Sequence, residues 1–206
     1  MDPQETTIAV VFHAAGYRTA CFGKWHNGRN YPMVPHGQGF DTFIGFRGGG
    51  WPDYFDTTLE HNGVPYPTTG YIVDVLTDEV LAFMEEYRDQ PFMVYFPMNT
   101  PHDPLQLPTS FHEPYVQMGI PEPEARIYGM ISNLDWNVGR ILHKLDDLAL
   151  GEDTIVVFLS DNGPNSDRFR SGLRGYKGSV YEGGCRVPFL IRWLGHLTPG
   201  GTKIET

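Results

Sequence analysis

Residues 154–163 read Thr154-Ile155-Val156-Val157-Phe158-Leu159-Ser160-Asp161-Asn162-Gly163, an apolar run that stops at a carboxylate, an amide and a glycine. A short run rich in β-branched residues, bounded by turn formers, reads as a buried strand of a sheet covered by helices. The loop after such a strand is where open α/β sheets bind ligands, and Asp161 and Asn162 place two hard oxygen atoms there. Asp-Asn-Gly is also ordinary turn chemistry, so company is needed before the segment points to a function.

The neighbouring segments supply the alternation that defines the class. Ile127, Met130, Ile131, Leu134, Val138, Ile141, Leu142 and Leu145 trace one helical stripe that ends near Gly151. Before it, Pro91 to Met98 is a compact apolar strand, and Ile72, Leu76, Val80, Phe83, Met84 and Tyr87 repeat at helical spacing. Near the start, Asp2 is expected to cap a helix with Pro3 in its first position and Glu5 completing a capping-box pattern. Ile8, Val11 and Phe12 give that helix an apolar side, Gly16 can close it, and Tyr17 to Phe22 follows as a strand. Val187 to Trp193 is the last strand. Residues 27–69 are rich in glycine, proline and aromatics without a sustained period, and read as long surface excursions near a site. Helix and strand alternate, which predicts an α/β fold with a largely parallel sheet and helices on both faces. No strand precedes the first helix, although crossover units are built with one, so the chain is expected to open in the middle of a fold.

Bulk properties narrow the partners. The 206 residues suffice for one domain with a real core, and 40% hydrophobic against 19% charged residues is a globular balance. A net charge of −10 argues against nucleic acid, although a few lysines and a cation could still focus positive potential on a small anion. No apolar stretch approaches the length of a membrane span, and residues 1–5 lack the marks of a secretory signal. Cys21 and Cys185 make no metal-type spacing and read as two idle thiols, a disulfide between them being unsupported.

The residues able to do chemistry cluster after the strands. Lys24 and His26 stand two apart on an extended segment, where a cation and an imidazole could converge on one anion. His102 lies between Pro101 and Pro104, on backbone stiff enough for a proton-transfer group. Lys177 sits between Gly175 and Gly178, where backbone can approach a ligand closely. Taken singly, each has a plainer reading: a solvated lysine, a packed histidine, a loop histidine bonded to backbone, a turn.

Gly16-Tyr17-Arg18-Thr19 followed by Gly23-Lys24-Trp25-His26 resembles the signature of the type I sulfatases. So do Pro101-His102-Asp103-Pro104, Leu159-Ser160-Asp161-Asn162-Gly163, and Gly175-Tyr176-Lys177-Gly178 with Glu182-Gly183-Gly184-Cys185-Arg186-Val187-Pro188. These motifs stand in the family's order and cover nearly the whole chain, with the bacterial arylsulfatase-like branch the most similar. The resemblance implies an alkaline-phosphatase-like fold and hydrolysis of sulfate monoesters, of aryl or carbohydrate type. It also assigns roles: Lys24 and Lys177 clamp sulfate oxygens, and His102, with Lys177, faces the ester oxygen as general acid. His26 contacts the nucleophile, and Asp161 and Asn162 are two ligands of calcium, with magnesium possible. An amide beside the aspartate favours a hard cation over the zinc of the phosphatase relatives, which have histidine there. The family's compartment is periplasmic or extracellular; the sequence itself leaves the compartment open.

The pattern is incomplete at both ends. The formylglycine nucleophile of the family arises from the Cys, or a Ser in its place, of a Cys-x-Pro-x-Arg motif, and neither Cys21, Cys185 nor any serine of residues 1–206 stands in one. The paired aspartates that complete the metal site are absent too, and residues 1–206 are expected to be part of a sulfatase catalytic domain. Two accounts follow: a segment of a calcium sulfatase, inactive alone, or a genuine short protein that is a non-catalytic sulfatase-like binding module or pairs with a missing N-terminal segment. A phosphomonoester or phosphonate hydrolase is a weaker third.

Overall fold

A computed structural model of the chain describes residues 2, 4–166 and 169–200. It forms two compact units, one up to Leu148 and one from Ala149 onward.

The first unit is built on a five-stranded mixed sheet. Its elements are α1 (Ile8–Ala14), β1 (Arg18–Lys24), β2 (Thr42–Phe46), β3 (Thr58–His61), β4 (Val64–Pro67), α2 (Ile72–Glu86), β5 (Phe92–Tyr95), α3 (Thr109–Gln117) and α4 (Glu124–Asp147). The strand order is β4-β3-β2-β1-β5. β1 runs parallel to both β2 and β5, while β3 and β4 continue the sheet antiparallel. Among the described residues β5 pairs on one side only.

Strand β1 is central, and residues 19–23 are all buried. Side chains alternate across a strand, so its two faces meet different partners. Cys21 packs with Phe43, Trp25, Phe40 and Ala9 of α1, with Met93 against them. Phe22, on the other face, meets Phe83 of α2 edge to face with ring centroids 5.8 Å apart. Helices therefore cover both faces, as the alternation predicts, and burial of these aliphatic and aromatic groups supplies the main folding drive. Burial also pushes the Cys21 thiol well above its ordinary range, and Cys21 and Cys185 are both free.

Helices α2 and α4 are joined by polar as well as apolar contacts. Asn133 and Asn137, both fully buried, donate to one Asp74 carboxylate oxygen at 2.8 and 2.7 Å. Arg140 with Asp78 and Lys144 with Glu85 extend this line of pairs toward solvent.

Two expectations need correction. The first helix starts at Ile8, and Thr7 rather than Asp2 caps it: the Thr7 hydroxyl accepts the Val10 N–H at 3.2 Å and donates to the Gln38 carbonyl at 2.7 Å. Asp2 instead accepts the Gln4 N–H in a local turn, because none of the described residues before Ala9 is buried enough to anchor a helix there. Pro3 lies outside the described residues. Residues 27–69 are also not all excursion, since they contain β2, β3 and β4.

The second unit holds β6 (Val156–Leu159), the short α5 (Glu182–Cys185) and β7 (Phe189–Arg192). β6 and β7 pair antiparallel with each other in a two-stranded sheet. Among the described residues no helix is long and apolar enough to cross a membrane.

Candidate active site

Three of the candidate side chains belong to the first unit. Lys24 ends β1, where its N–H donates to the Pro97 carbonyl at 3.0 Å. The next residue anchors the turn: Trp25 is buried, its N–H donates to the Phe46 carbonyl at 3.0 Å, and its indole N–H donates to the Met33 carbonyl at 2.7 Å. His26 then takes the left-handed conformation, with φ of 51°. A β-carbon makes that region costly, so the surrounding structure must hold it. This corrects the expectation that Lys24 and His26 share one side of an extended segment; the chain reverses its twist between them.

Gly49 is what holds His26. A β-carbon there would stand 2.5 Å from the imidazole Cε1, so the ring lies directly against bare backbone. Gly50 brings the same strap to His102, whose Cε1 is 4.0 Å from the position of a β-carbon on Gly50. His26 and His102, far apart in sequence, thus meet one glycine segment, Gly48-Gly49-Gly50. The sequence reading passed over this run; three successive glycines beside a buried strand were the available signal.

The His102 loop is hung on buried tyrosines. Tyr54 is fully buried, and its hydroxyl lies 3.0 Å from the carbonyl oxygens of both His102 and Asp103, donating to that pair. The Tyr54 N–H donates to the Gln106 side chain at 2.7 Å, and the Tyr71 hydroxyl donates to the Gln106 carbonyl at 2.9 Å. The His102 N–H donates to the Asn99 carbonyl at 3.0 Å, and its ring Nδ1 lies 2.9 Å from the Asp103 carbonyl. A carbonyl only accepts, so Nδ1 carries a proton, and Nε2 is the nitrogen left for proton transfer.

Burial pushes the Tyr54 phenol from 10.0 up to about 12, with the Asp103 carboxylate adding to the rise and Asn99 opposing it. The donor therefore persists through the physiological range. Because the folded value is the higher one, its contribution is whole below pH 10 and is lost as pH rises toward about 12. Urea midpoints measured across that interval are expected to fall less steeply for Tyr54→Phe than for the parent chain. Parallel curves would mean that the phenol titrates as if exposed.

Asp161, Asn162 and Lys177 belong to the second unit, where three loops are tied together by backbone. The Lys177 N–H donates to the Pro164 carbonyl at 2.8 Å, Gly163 N–H to the Gly184 carbonyl at 3.0 Å, and Gly183 N–H to the Arg174 carbonyl at 2.8 Å. The loop carrying Lys177 is thereby fastened to the loop carrying Asp161 and Asn162, two motifs that sequence separation had kept apart. The Asn162 side-chain N–H donates to the Gly163 carbonyl at 2.8 Å, which fixes the amide and leaves its oxygen as an acceptor. Asp161 is exposed beside it. Their chemistry suits a hard cation, but calcium takes about six to eight oxygens. No group of three or more His, Cys, Asp or Glu placed to hold a metal occurs among the described residues, so these two can form only part of a ligand set.

The chain is similar to known proteins along nearly its whole length. The sequence profile of the Sulfatase family matches residues 2–206. The chain is 32% identical to the sulfatase YdeN of Escherichia coli (strain K12), over 95% of this chain and 40% of that protein. It is 31% identical to arylsulfatase A of Homo sapiens, over 97% of this chain and 44% of that enzyme. The crystal structure of Ps i-CgsB in complex with k-i-k-neocarrahexaose superposes with a TM-score of 0.88 at 31% identity, covering 94% of this chain and 48% of that one. The chain thus spans less than half the length of these two curated relatives. With its motif residues placed at the ends of strands and in tied loops, and with a family match along its whole described length, the chain belongs to the sulfatase family.

Proposed function

We propose that the polypeptide carrying this segment hydrolyses sulfate monoesters of carbohydrates, residues 1–206 being part of its catalytic domain. The observation that carries the reading is the His102 loop, whose tautomer is fixed by the Asp103 carbonyl and whose free Nε2 suits protonation of a departing alkoxide. Lys24 and Lys177 bind the sulfate oxygens and offset charge that builds as the ester bond breaks. His26, whose ring lies against Gly49, contacts the nucleophile in this reading. Asp161 and Asn162 contribute two ligands to a divalent cation, calcium or magnesium in preference to zinc because both donors are hard oxygens. When bound, that cation polarises the sulfate.

No Cys- or Ser-x-Pro-x-Arg motif occurs in residues 1–206, so a formylglycine nucleophile is not among them. The open edge of β5 is where we place a strand of a preceding segment, since an unpaired edge is a template for addition. The carbohydrate preference rests on relatives: the Ps i-CgsB structure holds a neocarrahexaose, and the N-acetylgalactosamine-6-O-sulfatase of Bacteroides thetaiotaomicron is 30% identical over 63% of this chain.

The test is sulfate release by the complete reading frame containing residues 1–206, on a sulfated disaccharide and on its phosphate analogue. Expected is release of sulfate at least about tenfold faster than phosphate, lost with a chelator and restored by calcium better than by zinc. Retained binding of the sulfated sugar with no release would favour a binding module without turnover.

A further inference from the structure

Beside the histidines lies a cleft of about 590 Å³ that none of the family motifs touches, lined by Arg29, Phe46, Arg47, Gly48, Trp51 and Glu60 among others. Its walls are fixed. Trp51 stacks on Phe46 with ring centroids 5.1 Å apart, and its indole N–H donates to Thr57 at 2.8 Å, so the plane of the ring is set while the residue stays half-exposed. Arg47 is engaged from both sides: Nε donates to Glu60 at 3.0 Å and a terminal nitrogen to the Arg29 carbonyl at 2.8 Å. Glu60 thereby neutralises Arg47 and leaves Arg29 as the uncompensated charge of the cleft. Arg29 is exposed, and no carboxylate pairs with it among the described residues. In a chain with net charge −10 this is a local reversal of sign.

The glycine strap links the cleft to the histidines. Positions for β-carbons on Gly48, Gly49 and Gly50 lie 3.7 Å from the Arg29 guanidinium, 2.5 Å from the His26 ring and 4.0 Å from the His102 ring. Cation and imidazoles thus stand along two peptide links, at most about 7 Å of backbone. Groups so placed fall within the span of two neighbouring sugar units of one chain.

We propose that this cleft is a subsite for the carbohydrate unit next to the one bearing the reacting sulfate. The flat, fixed face of Trp51 takes the apolar face of the sugar ring, and Arg29 takes an anionic substituent on that ring, sulfate or carboxylate, through paired N–H donors. Substrates of this site are therefore polyanionic chains whose adjacent units each carry a negative group. This assignment rests on the sulfate-ester reading of Lys24, His26 and His102.

The test follows indole N–H signals of the 206-residue chain by NMR, with the Trp51 signal identified by Trp51→Phe. Three disaccharides are titrated: one sulfated on a single unit, the same with a second sulfate on the neighbouring unit, and one with a uronate neighbour. The Trp51 signal is expected to move with all three. The second anion should tighten binding about tenfold, as a charge-assisted pair does. Arg29→Ala should bring the dissociation constants of doubly and singly charged ligands to within about twofold of each other. The two anionic neighbours then tell whether sulfate or carboxylate is preferred.

A Trp51 signal that stays still at millimolar ligand overturns the subsite, as does a tightening that survives Arg29→Ala. In either event Lys24→Ala still weakens all three ligands if the sulfate-ester reading is right. Loss of the second-anion gain in Arg29→Ala with no effect of Lys24→Ala would keep the cleft and remove the sulfate reading.

Discussion

Gly45→Ala is expected to destabilise the first unit by about 3 kcal/mol, at the upper end of overpacking effects, while Gly139→Ala is expected to stabilise it by about 0.5–1 kcal/mol. The same methyl group has opposite signs because the two glycines meet different surroundings. A β-carbon on Gly45 would stand 2.0 Å from the Gly23 carbonyl oxygen and 2.8 Å from the Gly23 N and C. Those are backbone atoms of a central strand, held in register with β2 and β5, so they cannot step aside as a flexible side chain could. Gly139 lies exposed in α4 with no neighbour within 4 Å of its β-carbon position, so alanine there removes only the entropy penalty of a helical glycine. Urea midpoints of the two variants against the parent chain measure both effects. A Gly45→Ala midpoint equal to the parent's would mean that β1 and β2 do not approach as described. The consequence reaches the site, because Lys24 lies opposite Phe46 in the same register and Trp25 bonds to the Phe46 carbonyl. Displacing β2 moves the base on which Lys24 and His26 stand.

The same glycine shows why part of the fold stayed hidden in the sequence. Thr42 to Phe46 is a buried strand, but Gly45 breaks its apolar run, and glycine inside a short run reads as loop. Only the structure shows that Gly45 is there because Gly23 leaves no room for a side chain. The β3–β4 hairpin was legible and was missed: Asn62 and Gly63 both have positive φ, 48° and 94°, and Asn-Gly between two extended runs is a strong hairpin sign. Helix α3 contains Pro114 and buries no residue, so neither periodicity nor composition marks it. By contrast α2 and α4 were plain from their apolar spacing, because each presents a buried face, and β5 from its short apolar run, although its residues are only half-buried or exposed. Even there Asn133 and Asn137 are buried on Asp74, a partner that only tertiary structure supplies.

The site divides in the same way. The candidates Lys24, His26, His102, Asp161, Asn162 and Lys177 were readable in the sequence as parts of the motifs that resemble the sulfatases. Their geometry was not. The left-handed His26 depends on Gly49, and the tautomer of His102 depends on the Asp103 carbonyl and the Tyr54 hydroxyl. Contacts between residues so far apart along the chain leave no local periodicity to read. The Arg29 cleft is of this kind too, assembled from the stretch that looked least ordered.

His102→Gln, in the complete reading frame, should separate substrates by their leaving group. For a sulfated sugar the departing alkoxide is strongly basic and needs a proton as the S–O bond breaks, so loss of a general acid lowers kcat by about 10²–10⁴-fold. For 4-nitrophenyl sulfate the phenolate leaves unaided, and the same substitution should cost less than about tenfold. Glutamine can donate a hydrogen bond from its amide and accept one with its oxygen, but it cannot give up a proton, so the comparison isolates proton transfer from positioning. Tyr54→Phe provides the contrasting case. It releases the carbonyls of His102 and Asp103 without removing the imidazole, and should lower both substrates by a similar, smaller factor. Equal losses for the sugar sulfate and the nitrophenyl ester in His102→Gln would make His102 a positioning residue, and the acid would then have to be sought at Lys177. A loss confined to the sugar sulfate places the proton on His102 Nε2, the ring nitrogen that the Asp103 carbonyl leaves unengaged.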